Sequence, residues 1–151
     1  MDVGSGYMIA LVIAPIGLPL LDQAVKLLVR HRLRDGSISL GPIGAVHVTS
    51  APIWLMRDVG RWTPAAMWAV WIFAAGALAI IGAQVPALAL PCGLVLGASL
   101  SHAVEMSLRG SICDYVCLRF WPAFDLADVA LTVGAARIVL ELVTAVAGAS
   151  P

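Results

Sequence analysis

Four long apolar stretches constrain this chain more than any other feature of its sequence. They cover residues 7–29, 64–83, 86–108 and 126–147. A helix needs about 20 mostly apolar residues to cross a bilayer, because hydrocarbon offers a backbone group no hydrogen-bond partner outside its own helix. The sequence therefore predicts an all-α integral membrane protein with four transmembrane helices, folded as a single membrane domain over residues 1–151.

The composition supports lipid as the surroundings and argues against several other classes of protein. Hydrophobic residues make up 61% of the chain and charged residues 12%, whereas soluble domains are about half apolar and a quarter charged. The net charge of zero gives no electrostatic support for nucleic-acid binding. Three cysteines, with no CxxC pair, fit neither a disulfide framework nor a zinc motif. We expect membrane lipids as partners and no nucleic acid.

The connections before the second and fourth stretches are too long for simple turns. In the first, residues 37–40 alternate like a half-buried strand, and glycines and prolines break the segment that follows. We expect a small extramembrane β element between helices 1 and 2, with a short helix lying on the membrane surface. In the second, residues 111–116 have an extended pattern. Three tryptophans near the span ends suit the membrane interface: Trp54, Trp62 and Trp121.

Ionisable residues inside membrane spans are costly and usually face a protein interior or a water-filled cavity. Asp22 and Lys26 are four residues apart, so they can form an ion pair on one face of the first helix. Two explanations are open: the ion pair is their whole role, or they also support a polar site. Arg137 and Glu141 repeat the spacing in the fourth helix, where a structural ion pair is the better explanation.

Asp114 and Asp128 are the candidate catalytic residues. The segment between them is short enough to fold back and bring both carboxyls to one site. Two close carboxyls do not both ionise readily, so one keeps its proton. The ionised one can then accept a proton from water while the other polarises a peptide carbonyl. The alternative explanation is a helix cap at Asp128 and an unrelated loop carboxylate at Asp114.

Three segments resemble motifs of the lipoprotein signal peptidases (signal peptidase II), and their order and spacing match along nearly the whole chain. The closing motif of that family reads Phe-Asn-x-Ala-Asp-x-x-Ile, and residues 124–131 here read FDLADVAL. Residues 110–115, GSICDY, resemble the preceding family segment of a glycine, three residues, an aspartate and an aromatic. Residues 22–26, DQAVK, resemble the family's Asp-Gln-x-x-Lys.

The resemblance implies an aspartic endopeptidase of the bacterial cytoplasmic (inner) membrane that cleaves signal peptides of diacylglyceryl-modified prolipoproteins. It implies Asp114 and Asp128 as the catalytic pair, Asp22 and Lys26 as supporting residues, and no metal or organic cofactor. It also implies a multi-pass monomer with its active site on the outer face. The first connection would form the β cradle and surface helix that hold the lipid-modified substrate.

Several polar positions depart from the family pattern. The family's Gly-Asn-x-x-Asp-Arg is Ser101-His102-Ala103-Val104-Glu105-Met106 here, and the asparagine of the closing motif is Asp125. The asparagine of the family's Asn-x-Gly-Ala-Ala-Phe falls on His47. His47, His102, Glu105 and Asp125 are thus candidate supporting or substrate-binding residues. The altered shell leaves open a catalytically inactive relative that binds lipoprotein or lipid without cutting it.

The same replacements suggest a further alternative, a metal-binding membrane hydrolase. Imidazole with carboxylate suits zinc or another transition metal. The family fold would gather six such side chains near one site, although no HExxH or comparable spacing supports the idea: His47, His102, Glu105, Asp114, Asp125 and Asp128.

The distribution of basic residues conflicts with the orientation that the resemblance implies. Six basic residues cluster around the first connection: Lys26, Arg30, Arg32, Arg34, Arg57 and Arg61. The positive-inside rule would place that connection, and Asp114 with it, on the cytoplasmic side. We follow the family orientation, because several of these charges belong to a folded element rather than to a short loop.

Overall fold

The computed structural model describes residues 3–33, 36–51 and 64–148. Its helices are α1 (Val3–Arg32), α2 (Pro64–Gln84), α3 (Pro86–Arg109) and α4 (Leu126–Gly148). Each contains a segment long and apolar enough to cross a membrane. These helices and a small three-stranded sheet confirm the predicted fold class.

Helix α3 is the centre of the bundle and packs against all three other helices. Its most apolar window is 56% buried, whereas the corresponding windows of the other helices are 11% buried or less. Small residues allow this close packing: Ala89 and Ala98 of α3 and Ala127 of α4 are fully buried. The outer faces of α1, α2 and α4 carry exposed Ile, Leu, Val and Phe side chains, as expected for surfaces that face lipid.

The ends of α3 follow from its sequence. Pro86 occupies the first turn, where a missing N–H leaves no hydrogen bond unmade. Val85, the single residue between α2 and α3, is extended, so the two helices form a tight hairpin. At the other end Gly110 adopts φ +69° and donates its N–H to the carbonyl of Met106. This left-handed conformation favours glycine and turns the chain into the next strand.

The sheet joins the two long connections. Strands β1 (Ile38–Ser39) and β2 (Gly44–Ala51) lie between α1 and α2, and β3 (Ile112–Leu118) lies between α3 and α4. They pair antiparallel in the order β1-β2-β3, with a register shift between Val46 and Thr49. The third strand therefore comes from the segment predicted to be extended. Residues 52–63 of the first connection, with Trp54 and Trp62, lie outside the described residues. The surface helix expected in this connection therefore stays a prediction.

A reverse connection carries the chain from β3 to α4. Val116 and Phe124 exchange backbone hydrogen bonds of 3.0 and 3.1 Å, which close the loop between them. The N–H of Leu126 then donates to the Tyr115 hydroxyl at 3.1 Å. These contacts hold the first turn of α4 against β3, the strand that contains Asp114.

Candidate active site

The buried ammonium of Lys26 lies at the centre of the polar residues between the helices. Its Nζ is 2.9 Å from Asp22 Oδ2, 2.7 Å from Glu105 Oε2 and 2.5 Å from Asp125 Oδ2. All four side chains are essentially inaccessible to solvent. One cation thus joins α1, α3 and the start of α4, and burial of the carboxylates depends on it because an unpaired buried charge is strongly unfavourable.

Two neighbouring side chains complete the pairing of these carboxylates. The Ser101 hydroxyl donates to Asp22 Oδ2 at 2.6 Å, and Arg30 Nη2 donates to Glu105 Oε1 at 2.7 Å. The other oxygen of Asp22, Oδ1, is buried and has no hydrogen-bond partner among the described residues. The Asp22–Lys26 spacing in the sequence thus does form an ion pair, as one part of a larger network.

Asp125 and Asp128 cap the N-terminus of α4 reciprocally. The N–H of Asp128 donates to Asp125 Oδ1 at 2.7 Å, and the N–H of Asp125 donates to Asp128 Oδ2 at 3.2 Å. Both carboxylates satisfy backbone N–H groups that the helix leaves unpaired. The capping explanation of Asp128 is therefore correct as far as Oδ2 is concerned, while Oδ1 points elsewhere.

His102 joins this cap to the buried network. Its Nε2 is 3.3 Å from Asp125 Oδ2, 3.4 Å from Asp125 Oδ1 and 3.7 Å from Asp128 Oδ1. The imidazole is 17% exposed and the Asp128 side chain 38%. Solvent exposure thus increases across the site, from the buried Lys26 network, through His102, to the carboxylate of Asp128.

Asp114 lies on β3, near this accessible end. Its backbone pairs with Thr49 of β2, and its side chain is partly buried. Burial raises the pKa of Asp114 to about 6, helped by the negative charges of Asp128 and Asp125. Among the described residues none donates a hydrogen bond to its carboxyl group.

Asp125 has the opposite electrostatic environment. Burial alone would raise its pKa, but hydrogen bonds from His102, Lys26 and the Asp128 N–H outweigh burial and lower the pKa to about 2. Asp125 therefore stays ionised at any physiological pH, while Asp114 can hold a proton.

An open apolar groove of about 410 Å³ adjoins Asp128. Its walls come from the loop after β3 and from the first turns of α4: Leu118, Phe120, Trp121, Phe124, Val129, Thr132 and Val133. Phe120 and Trp121 are 76% and 63% exposed. The groove offers an apolar surface directly beside a carboxylate.

The eight residues singled out from the sequence fall into three groups. Asp22, Lys26, Glu105 and Asp125 form the buried network, and His102, Asp114 and Asp128 lie at its accessible end. His47 is on β2, where Nε2 lies 3.6 Å from the Cys117 sulfur. The six-residue metal set expected from the sequence is thus smaller in the structure: His102, Asp125 and Asp128 present ligand atoms within 4.8 Å of one another.

Three members of the site, of which Ser101 is one, were not among the candidate residues identified from the sequence. Arg30 follows Lys26 by four residues, so the Asp22–Lys26–Arg30 row on one helical face was a readable signal. Cys113 and Tyr115 are two residues apart on β3, so their side chains lie on the same face of the strand, and both are buried. Burial raises the pKa of Tyr115 to about 12, so its hydroxyl keeps its proton while it accepts the Leu126 N–H.

Comparison with known proteins gives consistent matches. A model of the signal peptidase (SPase) II family matches residues 14–144. A lipoprotein signal peptidase of Xylella fastidiosa is 30% identical over 141 residues, with 78% of each chain covered. One of Halothermothrix orenii is 38% identical over 53 residues, which span 35% of this chain and only 37% of that protein.

A solved bacterial membrane enzyme, determined by the in meso method, has the same fold. It superimposes with a TM-score of 0.76 at 15% sequence identity, covering 93% of this chain and 91% of that one.

Proposed function

Because this chain belongs to the signal peptidase II family, we propose that it is a membrane aspartic endopeptidase that cleaves signal peptides from lipid-modified prolipoproteins. The observation that carries the proposal is the pair of carboxyls at the accessible end of the site. Asp128 lines the apolar groove, and the negative charge of Asp128 helps burial to raise the pKa of Asp114 to about 6.

The two carboxyls supply the two proton-transfer functions that hydrolysis of an amide needs. Asp128, ionised, accepts a proton from water as the water oxygen attacks the scissile carbonyl carbon. Asp114, protonated, donates a hydrogen bond to the carbonyl oxygen and stabilises the negative charge that develops there. When the carbon–nitrogen bond breaks, the leaving amine takes the proton held by Asp128, and the new carboxylic acid and amine separate.

The surrounding residues prepare this pair. The capping bond from the Asp125 N–H holds Asp128 Oδ2, and His102 lies beside Oδ1. The Lys26 network fixes Asp125 and thereby the first turn of α4. Because proper positioning of reacting groups accounts for a large part of catalysis, Asp22, Lys26, Glu105 and Asp125 act as positioning residues.

The groove suits the substrate that the lipoprotein signal peptidases act on by name. A lipidated prolipoprotein brings two apolar parts to the enzyme, its acyl chains and the core of its signal peptide. The exposed rings of Phe120 and Trp121 and the wall of Val129 and Val133 supply a complementary surface beside Asp128. We place the enzyme in the bacterial inner membrane, as a monomer without a metal or organic cofactor, with the groove on the outer face.

A protein that binds lipoprotein or lipid without cutting it is the second candidate. The observation that favours it is the changed polar shell, with His102, Glu105 and Asp125 in place of the residues of the family motif. Both candidates bind substrate, so only turnover separates them.

The test is processing of a diacylglyceryl-modified prolipoprotein by the purified protein in detergent micelles. Asp114→Asn and Asp128→Asn are the test variants, and Glu141→Gln is the matched control. Glu141 pairs with Arg137 and lies about 20 Å along α4 from Asp128. We expect activity in the wild type and the control, and a loss of at least about a thousandfold in both test variants. Equal processing by all four proteins would refute the dyad.

A further inference from the structure

His102 and Asp125 place an imidazole and a second carboxylate beside Asp128. The imidazole nitrogen faces both carboxylates, and the three ligand atoms lie within 4.8 Å of one another. The separations from Nε2 are 3.3 and 3.4 Å to the two oxygens of Asp125 and 3.7 Å to Asp128 Oδ1. All three are longer than the about 2.7–2.9 Å that is usual for a hydrogen bond between charged groups.

These separations do fit a shared metal ion. With metal–nitrogen and metal–oxygen bonds of about 2.1 Å, two ligands in a tetrahedral site are about 3.4 Å apart. One imidazole and two carboxylates are ligands that zinc and other first-row divalent transition metals accept. Small rotations of the side chains would bring all three atoms to bonding distance.

The surroundings orient the carboxylates for this role. Lys26 holds Asp125 Oδ2, and the N–H of Asp128 donates to Asp125 Oδ1. The N–H of Asp125 holds Asp128 Oδ2, so that Oδ1 is the oxygen left beside the imidazole. Contacts of this kind, made to the ligands and not to the metal, fix ligand direction in known metal sites.

The charges at this end of the site leave room for a cation. Three carboxylates, those of Asp114, Asp125 and Asp128, interact electrostatically with His102, as does the ammonium of Lys26. Arg30 and Arg109 contact Glu105 instead. Asp128 is 38% exposed and borders the groove, so an ion from solution has access.

We propose that His102, Asp125 and Asp128 bind one divalent transition-metal ion, of which Zn²⁺ is the representative, and that the bound ion inhibits the peptidase. Inhibition follows because the ion occupies the oxygen of Asp128 that would accept a proton from water. The binding site stands on its own geometry, while the inhibition rests on the proposed function. Protons compete for the imidazole and for the three carboxyls around it, so affinity falls in acid.

The binding test is calorimetric titration of the full chain in detergent micelles with Zn²⁺ at neutral pH, alongside the visible absorption of bound Co²⁺. His102→Asn removes the imidazole, and His31→Asn is the matched control at the exposed end of α1. His47→Asn excludes a contribution from the pair that His47 forms with Cys117. We expect one ion per chain, with micromolar affinity, in the wild type and both controls.

In His102→Asn we expect affinity to fall at least about tenfold, with loss of the Co²⁺ bands. Asp128→Asn should show the same loss of affinity. It serves as the test of the metal site if His102→Asn does not fold. Unchanged affinity in a folded variant of either kind, or no binding by the wild type, would overturn the site.

The inhibition test adds Zn²⁺ to the processing assay and then removes it with a chelator. We expect reversible inhibition over the same concentration range as binding. Binding without inhibition in an active enzyme would overturn the regulatory part. If the wild type binds Zn²⁺ but never cleaves substrate, the proposed function fails and the metal site stands.

Discussion

Among single residues, Asp114 carries the most specific chemical assignment. It lies on a strand and not on a helix, it is partly buried, and no described residue donates a hydrogen bond to its carboxyl group. We propose that Asp114 holds the proton of the pair and that Asp128 acts as the base, and the raised pKa of Asp114 supports this division. This division of roles leads directly to a pH dependence.

We expect kcat/KM of the free enzyme to fall as pH rises through about 6. Below that pH Asp114 is protonated and can polarise the carbonyl, and above it both members of the pair are ionised. Initial rates at low substrate concentration, measured from about pH 5 to 8, give the inflection.

Asp125→Asn provides the matched variant, since it removes one of the negative charges that raise the pKa of Asp114. The inflection should therefore move to lower pH. An inflection that stays in place, or moves upward, would contradict the assignment of the proton to Asp114.

Lys26 is the residue on which the stability of the buried network depends most. Three buried carboxylates depend on its charge. Lys26→Met should reduce the free energy of unfolding by about 3–5 kcal/mol, because it leaves those carboxylates without their shared partner. Arg119→Met, at an exposed position after β3, should change it by less than about 0.5 kcal/mol.

Reversible denaturant titration in mixed micelles measures both variants. A loss in Lys26→Met no larger than that in Arg119→Met would show that the network contributes little to stability.

At the scale of elements, the position of the site depends on how closely α1 approaches α3. Gly93 and Gly97 of α3 lie against the backbone of α1, and a Cβ atom at Gly97 would lie 2.6 Å from the carbonyl oxygen of Ala14. The Lys26–Glu105 pair joins the same two helices. Separating them would therefore disturb both the packing and the ion pairs.

Gly97→Ala should destabilise the protein by about 1–3 kcal/mol through this overlap. Gly76→Ala in α2 is the matched control, because a Cβ there meets no atom within 4 Å. The control should be neutral or stabilising by up to about 1 kcal/mol, since alanine favours a helix over glycine. In the same detergent, the melting temperature of Gly97→Ala should fall, while that of Gly76→Ala should stay unchanged or rise. A stabilised Gly97→Ala would refute the close packing.

The sequence predicts some of these elements better than others. The spans follow from the bilayer, which demands long apolar helices, and the extended pattern of residues 111–116 anticipates β3. That β3 pairs with β2 could not be read locally, because the partners are about 70 residues apart. The contacts of Glu105 with Lys26 and Arg30 join distant segments in the same way.

At the scale of the whole molecule, the site was found through the resemblance more than through residue chemistry. Two separated aspartates are a weak pattern, and the capping geometry of Asp128 shows why the structural explanation was reasonable. The position of His102 between Asp125 and Asp128 was visible only in three dimensions.

The ion pairs bear on the conflict between the positive-inside rule and the orientation that the family resemblance implies. The positive-inside rule counts charges that are free to interact with the cytoplasm and the lipid surface. Lys26 is fully buried in ion pairs, and Arg30 is paired with Glu105. Two of the six basic residues around the first connection are therefore held in ion pairs, and one of them is fully buried, which weakens the count that placed Asp114 in the cytoplasm.

Four spans put the two ends of the described chain on one side of the membrane and Asp114 on the other. A fluorescent reporter fused after residue 148 should therefore be active in the cytoplasm, and an alkaline phosphatase fused there should be inactive. The reverse pattern would place Asp114 on the cytoplasmic side and contradict the proposed location.

The most direct test of the central claim is cleavage in a single turnover, with enzyme in excess over one lipid-modified prolipoprotein and the product read by mass spectrometry. Wild-type protein should yield a product that begins at the lipidated cysteine. Asp114→Asn and Asp128→Asn should bind the same substrate without forming that product. The same product, formed at the wild-type rate by either variant, would contradict a mechanism based on these two carboxyls.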